Sequence, residues 1–274
     1  MASTLRVGDL TVNRLGFGAM RVCGPNVWGP PKDRANALAV LRKAFELGHN
    51  FFDTADSYGP HVDEELIAEA LHPYPKGLVI ATKGGLLRPR PGAWDPDGRP
   101  DHLKNALDGS LKRLKLDRID LYQLHAPDAK VPFADSVGAL ADGQRAGKIR
   151  HVGLSNVSVR QLEEARRICP IVSVQNRYNL EDRSSDDVLK ACVKLGIAFL
   201  PWYPLGAGAA LKSEQVKSIA KKHKATGAQV ALAWLLAKSP VMLPIPGTSD
   251  LQHLEQNAAA AGITLPAADL ASLG

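Results

Sequence analysis

Cysteine is scarce. Cys23, Cys169 and Cys192 are the only three among 274 residues, and no pair has the Cys-x-x-Cys spacing. An odd, dispersed trio argues against a disulfide framework and a thiolate metal site, and reads as reduced core residues. Long apolar runs are missing too. The longest, VALAWLLA at 230–237, is far shorter than the roughly 20 residues that cross a bilayer, and MASTLRVGDL at the N-terminus has no apolar signal-like segment. These absences predict a cytoplasmic protein without a membrane partner. There is no His-x-His pair and no His-Glu-x-x-His motif to assemble a metallohydrolase centre, so no metal is expected. With no low-complexity segment and no shift in composition, residues 1–274 read as one domain.

Aromatics make up 5% of the chain, which bears on its formal charge of +6. A nucleic-acid surface needs a basic stripe, often with aromatic rings for stacking. The Lys and Arg residues are scattered instead, and the one cluster, KSIAKKHK at 217–224, has the spacing of a solvated helix face with no ring between its cations. The reading is no nucleic-acid partner. Mild positive charge also suits an anionic cofactor.

What is present is an alternation. Eight apolar runs, RLGFGAM, HNFFD, LVIATK, IDLYQLH, IRHVGLSN, IVSVQN, IAFLPW and VMLPIPG, lack the in-out pattern of a half-exposed sheet. Strands covered on both faces have this character. Between them lie segments of helical period: in DDVLKACVKLG, Val188, Ala191, Cys192 and Leu195 form one stripe. Gly48 and Gly196 follow two such segments, where a left-handed residue ends a helix. Eight strand-helix units in a chain of this length predict a (β/α)8 barrel of TIM type. TLRVGDLTV reads as an N-terminal hairpin, turned at Gly8-Asp9, that plugs the opposite end. Long Gly/Pro-rich segments, MRVCGPNVWGPPKD and GGLLRPRPGAWDPDGRP, follow the first and third strands at the C-terminal face, where barrels place their sites.

That face collects unusual residues. FFDTADSYGPH turns from apolar to polar within one residue, which a simple turn does not require. Asp53 ends the second strand, Tyr58 lies in the loop after it, Lys83 ends the third strand and His125 the fourth. Singly, each has an ordinary structural explanation: a helix cap, a packed turn, a solvated amine, a core imidazole. Together, an acid, a phenol, an amine and an imidazole on neighbouring strand ends can deliver a proton to a carbonyl oxygen.

These stretches, with VGLSN, VQNRYN, WYPLGAG and IPGTSDLQHLEQN in order along the chain, resemble the aldo-keto reductase superfamily over nearly the whole length. Within it, GPPKDR and IPGTS are similar to the pyridoxal reductase branch. The resemblance implies a barrel and an Asp-Tyr-Lys-His tetrad that falls on Asp53, Tyr58, Lys83 and His125. It implies NADPH or NADP+ as cofactor, NADH being a possible substitute. Ser155, Asn156 and Gln175 then meet the carboxamide. Trp202 stands where a stacking Tyr is usual, with Tyr203 lining the site. Gly18, Met20, Leu205, Gly206 and Gly208 lie along the dinucleotide. Pro246, Gly247, Thr248, Ser249, His253, Gln256 and Asn257 surround the adenosine end. Gly247 and His253 depart from the Lys and Arg of members that strongly prefer NADPH, which leaves Thr248, Ser249 and helix amides for the 2′-phosphate. Trp28 and Trp94 are expected around a small carbonyl substrate.

The chemistry follows from the side chains. A phenol ionises near 10, so Tyr58 needs a neighbouring cation that stabilises its phenolate, a role for Lys83 held charged by Asp53. His125 donates a hydrogen bond to the carbonyl oxygen. No side chain supplies a hydride, so a nicotinamide is required. Two rivals remain at this level: a lyase using Lys83 as a Schiff-base nucleophile, and a non-catalytic cofactor-sensing subunit.

Overall fold

The computed structural model describes residues 4–206, 208 and 210–274. The chain opens with an antiparallel hairpin of β1 (Thr4–Val7) and β2 (Leu10–Asn13), turned at Gly8, whose φ of 62° suits a residue without a Cβ. Three parallel strands follow, β3 (Phe17–Gly18), β4 (Phe51–Asp53) and β5 (Val79–Gly84). Part of the segment 84–100, expected as a loop, pairs as a small hairpin of β6 (Leu86–Leu87) and β7 (Asp95–Pro96). The parallel sheet resumes with β8 (Ile119–Leu124), β9 (Ile149–Ser155), β10 (Ile171–Arg177) and β11 (Ala198–Trp202), in the spatial order β3-β4-β5-β8-β9-β10-β11.

The expected eighth strand is a seam rather than a ladder. Phe199 N donates to Val241 O at 2.8 Å and Leu243 N to Phe199 O at 2.9 Å, while Gly16 N and Gly18 N donate to Pro244 O at 2.9 Å and Pro246 O at 3.1 Å. Pro244 and Pro246 carry no amide hydrogen, so on the β3 side this segment accepts only and reciprocal pairing cannot form. It nevertheless joins β11 to β3 and closes the (β/α)8 barrel. Gly18 is required at this seam, because a Cβ there would lie 2.5 Å from Ile245 O.

Helices clothe the cylinder: α1 (Arg34–Glu46), α2 (Val62–Leu71), α3 (Pro100–Leu114), α4 (Phe133–Arg145), α5 (Val159–Arg166), α6 (Asp186–Leu195), α7 (Glu214–Lys222), α8 (Gly227–Lys238), α9 (Leu251–Ala259) and α10 (Ala267–Leu273). Their starts are chemically marked. Ser158 and Thr226 form reciprocal capping boxes with Gln161 and Gln229, and Asp33 caps α1 through Asn36 N. Gly196 ends α6 at φ 64°, and Gly48 follows α1 at φ 93°, as expected. On α6, Val188 and Cys192 are buried, with Ala191 and Leu195 packed half-buried beside them.

The strand period of two sorts the interior. Phe51, Val79, Ala81, Leu121, Ala198 and Leu200 point inward and pack with Val7, Leu10 and Val12 of the hairpin, which plugs the N-terminal end. Two residues further along the same inward rows stand Asp53, Lys83 and Gln123. The interior is therefore apolar at the bottom and polar at the mouth. No helix among the described residues is long and apolar enough to cross a membrane.

Candidate active site

Asp53, Lys83 and Tyr58 meet at the mouth. Asp53 and Lys83 are the last inward residues of β4 and one from the end of β5, and Tyr58 returns over them because the loop after β4 folds back. Asp56 N donates to Lys83 O at 3.1 Å, and Tyr58 N to Ala55 O at 3.2 Å. The Lys83 Nζ, fully buried, donates to Asp53 Oδ2 at 2.7 Å, to Thr54 O at 2.8 Å and to Tyr58 OH at 3.3 Å. All three ammonium donors are thus used. Gln175 Nε2 at 2.7 Å and Gln123 Nε2 at 3.3 Å donate to the other oxygen of Asp53. Removing one partner of such a buried pair typically costs about 3–5 kcal/mol, because the other charge is stranded.

Burial would depress the Lys83 ammonium, but Asp53 and Tyr58 outweigh it and hold its pKa above the ordinary value. For Tyr58 burial is the larger effect: it pushes the phenol up to about 12 even though Lys83 pulls it down. The expected lowering of the phenol below its free value is therefore not found. At that value the Tyr58 hydroxyl keeps its proton near neutral pH.

His125 sits just past β8, its ring edge-on to Tyr58 with centroids 5.8 Å apart. Burial, then Lys83 and Arg88, hold its pKa well below the ordinary value, so the imidazole is neutral. Ser57 Oγ lies 3.3 Å from His125 Nδ1. A hydroxyl donating to Nδ1 leaves the hydrogen on Nε2, the tautomer that can donate to a carbonyl oxygen.

The residues expected to hold the nicotinamide lie beside the tetrad. Ser155 ends β9 and is buried, and Asn156 follows it at φ 59°. The amide of Asn156 is largely committed to the protein: Nδ2 donates to His125 O and Ser155 Oγ, both at 3.0 Å, and Oδ1 accepts from Trp202 Nε1 at 3.0 Å. Gln175 uses its nitrogen on Asp53, and its Oε1 has no protein partner among the described residues. Trp202 is the inward end of β11, half-buried, with the Arg177 guanidinium 5.8 Å from its ring. Tyr203 turns at φ 58° and its ring is tilted 46° from that of Trp202. Gly206 and Gly208 have φ of 58° and 87°, with Leu205 half-buried beside them. Met20 packs against the cluster that contains Tyr58.

Of the residues expected at an adenosine end, several are already engaged within the protein. Pro246 and Gly247 continue the seam, and a Cβ at Gly247 would stand 2.4 Å from Gly18 O, so no lysine fits there without a shift. Asp250 caps α9 through His253 N at 2.8 Å, and Thr248 Oγ1 accepts from Asp250 N at 3.0 Å. Those two amides are already occupied. The carbonyl of Ser249 accepts from Asn36 at 2.8 Å, and His253 is exposed. Gln256 is half-buried and Asn257 is 5% exposed, which rules out a solvated face for Asn257.

The two long loops converge on Tyr58. Gly29 N donates to Gly59 O at 2.7 Å, which brings Trp28 alongside the Tyr58 loop. Trp94 from the β6–β7 hairpin stands edge-on to Tyr58 at 6.2 Å. Between the two indoles lies Arg88, its guanidinium 3.6 Å from the Trp94 ring and 5.6 Å from Trp28. Sequence reading gives no role to Arg88 or Gln123, and none to Ser57 and Thr54 individually within FFDTADSYGPH. Gln123 was available as the inward neighbour of His125; Arg88 carries no local signal that separates it from Arg90. Among the described residues no group of acidic, Cys and His side chains could hold a metal.

A model of the aldo/keto reductase family matches residues 14–273. An uncharacterized oxidoreductase of Schizosaccharomyces pombe is 50% identical over 273 residues, 99% of this chain and 89% of that protein. Pyridoxine 4-dehydrogenase of Escherichia coli is 44% identical over 279 residues, covering 99% and 97%. Among solved structures, an aldo/keto reductase from Klebsiella pneumoniae in complex with NADP and acetate superposes with a TM-score of 0.86 at 26% identity, covering 100% of this chain and 94% of that one. The closed barrel, the buried tetrad at its mouth and these full-length likenesses agree, and the chain belongs to the aldo/keto reductase family.

Proposed function

We propose that this protein is an NADPH-dependent reductase of aldehydes, with pyridoxal and pyridoxine as its carbonyl and alcohol, and that residues 1–274 act as one catalytic unit. The observation that carries the reading is the contact of Tyr58 OH with Lys83 Nζ, 3.3 Å apart and backed by Asp53. The name of the E. coli relative supports the substrate, and the NADP complex of the K. pneumoniae structure supports the cofactor.

A bound nicotinamide supplies the hydride that side chains lack. Ser155 and the Oε1 of Gln175 would hold its carboxamide, the Trp202 ring would pack on it, and Gly206 and Gly208 would let backbone approach the diphosphate. Thr248 and Ser249 would hold the 2′-phosphate, and without a lysine at position 247 NADH would also be accepted. His125 Nε2–H and Tyr58 O–H converge on the carbonyl oxygen. As negative charge gathers there, Tyr58 gives up its proton, and the Lys83 ammonium steadies the phenolate that remains. Asp53 keeps that ammonium fixed and charged. A lysine held in this way is a poor imine-forming nucleophile, since that chemistry needs the neutral amine.

The test is an aldehyde panel including pyridoxal, followed by loss of absorbance at 340 nm with NADPH and with NADH. We expect pyridoxal-dependent oxidation of NADPH, lost by about 10²–10⁴-fold in Tyr58→Phe while the Kd for NADPH stays within about twofold. Tight dinucleotide binding with no turnover of any aldehyde would point instead to a sensor.

A further inference from the structure

Arg88 is a cation the tetrad does not use, packed against the loop that carries Tyr58 and against Trp94. It is 8% exposed, and among the described residues no carboxylate neutralises it. Its two terminal nitrogens reach only neutral partners, Nη1 donating to Ser57 O at 3.2 Å and Nη2 to Asn26 O at 3.3 Å. Nε is buried without any partner. A guanidinium has five N–H donors, so one on each terminal nitrogen is unused as well as that on Nε. Stacking on Trp94 at 3.6 Å stabilises the cation and fixes its plane, but supplies no counter-charge.

A desolvated cation with spare donors is costly by itself and becomes favourable when an anion joins it. Its position decides which anion. Arg88 holds Ser57, whose hydroxyl meets His125, and its partner Trp94 stands edge-on to Tyr58. An anion here therefore belongs to the molecule whose carbonyl lies between His125 and Tyr58. Trp94, edge-on to Tyr58, gives this side of the site an aromatic wall that suits a planar ring.

We propose that Arg88 is a specificity-determining residue that selects planar aromatic aldehydes bearing an ionised oxygen, phenolate or carboxylate, near the carbonyl. This deepens the reductase reading and rests on it. The planar fork donates two adjacent N–H groups to such an oxygen while the aldehyde stays in reach of the proton donors. Neutral aldehydes of the same shape leave the guanidinium uncompensated and bind more weakly.

The test compares 2-carboxybenzaldehyde with its neutral methyl ester in the wild-type protein, Arg88→Gln and Arg88→Lys, with NADPH saturating. Wild type is expected to show the lower KM for the carboxylate. Arg88→Gln should raise that KM by at least about tenfold, leaving the ester KM and both kcat values within about twofold, and Arg88→Lys should fall between. A residue that only clasps the Ser57 and Asn26 loops would instead lower kcat/KM for both aldehydes equally, and that result overturns the proposal. Equilibrium binding of benzoate against benzamide to the NADP+ complex, read by tryptophan fluorescence, repeats the comparison without turnover. Benzoate binding that is lost in Arg88→Gln supports the anion site even if neither aldehyde is reduced, an outcome that would count only against the reductase reading. Equal benzoate affinity in wild type and Arg88→Gln sinks the anion site.

Discussion

At the scale of single residues, the site is governed by what burial does to charge. Tyr58, raised to about 12, stays protonated across the working pH range, and His125, depressed well below its ordinary value, stays neutral. Neither group changes state near neutrality. The kcat for aldehyde reduction should therefore be flat from about pH 6 to 9, since a donor is fully protonated below its pKa. A steep fall in kcat over that interval in a pH-rate profile would contradict this. Asp56 gives a stability prediction. Desolvation, first of several causes, raises its carboxyl well above the ordinary value, and its Oδ1 has no partner. Above about pH 4 the folded state holds a proton that the unfolded chain releases, so stability falls as pH rises through that window. Asp56→Asn, neutral at every pH, should gain in Tm over wild type progressively between pH 5 and 8. A pH-independent difference would mean that the folded carboxyl titrates normally.

At the scale of elements, two features were half legible. The eighth apolar run was recognised as a strand position from VMLPIPG, but its two prolines turn it into a seam that accepts hydrogen bonds from β3 without returning them. Gly18→Ala should strain this seam, because the new methyl meets Ile245 O. Overpacking of this kind costs about 1–3 kcal/mol, or about 2–4 °C in Tm for each kcal/mol. An unchanged Tm would show that β3 yields freely. At the end of β11, Trp202 was expected to cover the nicotinamide, and its ring is further pinned by the hydrogen bond to Asn156. Trp202→Ala should weaken NADPH binding by about 5- to 30-fold, the loss of roughly 1–2 kcal/mol of ring contact, while Tm changes little. Isothermal titration with unchanged Kd would remove Trp202 from the cofactor site.

At the scale of the whole molecule, the hairpin and the mouth divide the labour. Val7, Leu10 and Val12 close the barrel floor, each buried side chain contributing about 1.5–3 kcal/mol, and none is near the tetrad. Deleting residues 4–13 should lower Tm markedly yet leave kcat nearly unchanged well below the new midpoint. A matching loss of kcat would show that the floor and the mouth are coupled.

The sequence by itself determined the periodic elements and the residues at strand ends, because apolar runs, helical stripes and glycine stops are local statements about burial and backbone freedom. Asp53, Tyr58, Lys83 and His125 were legible because a barrel brings every strand end to one face. Tertiary structure alone decided how those groups interact. Burial raised Tyr58 although Lys83 lies beside it, Asn156 was committed to Trp202 and His125, and two distant loops sandwiched Arg88 between indoles. The reason is that desolvation and hydrogen-bond partnership depend on neighbours tens of residues away, and those neighbours exist only once the barrel has closed.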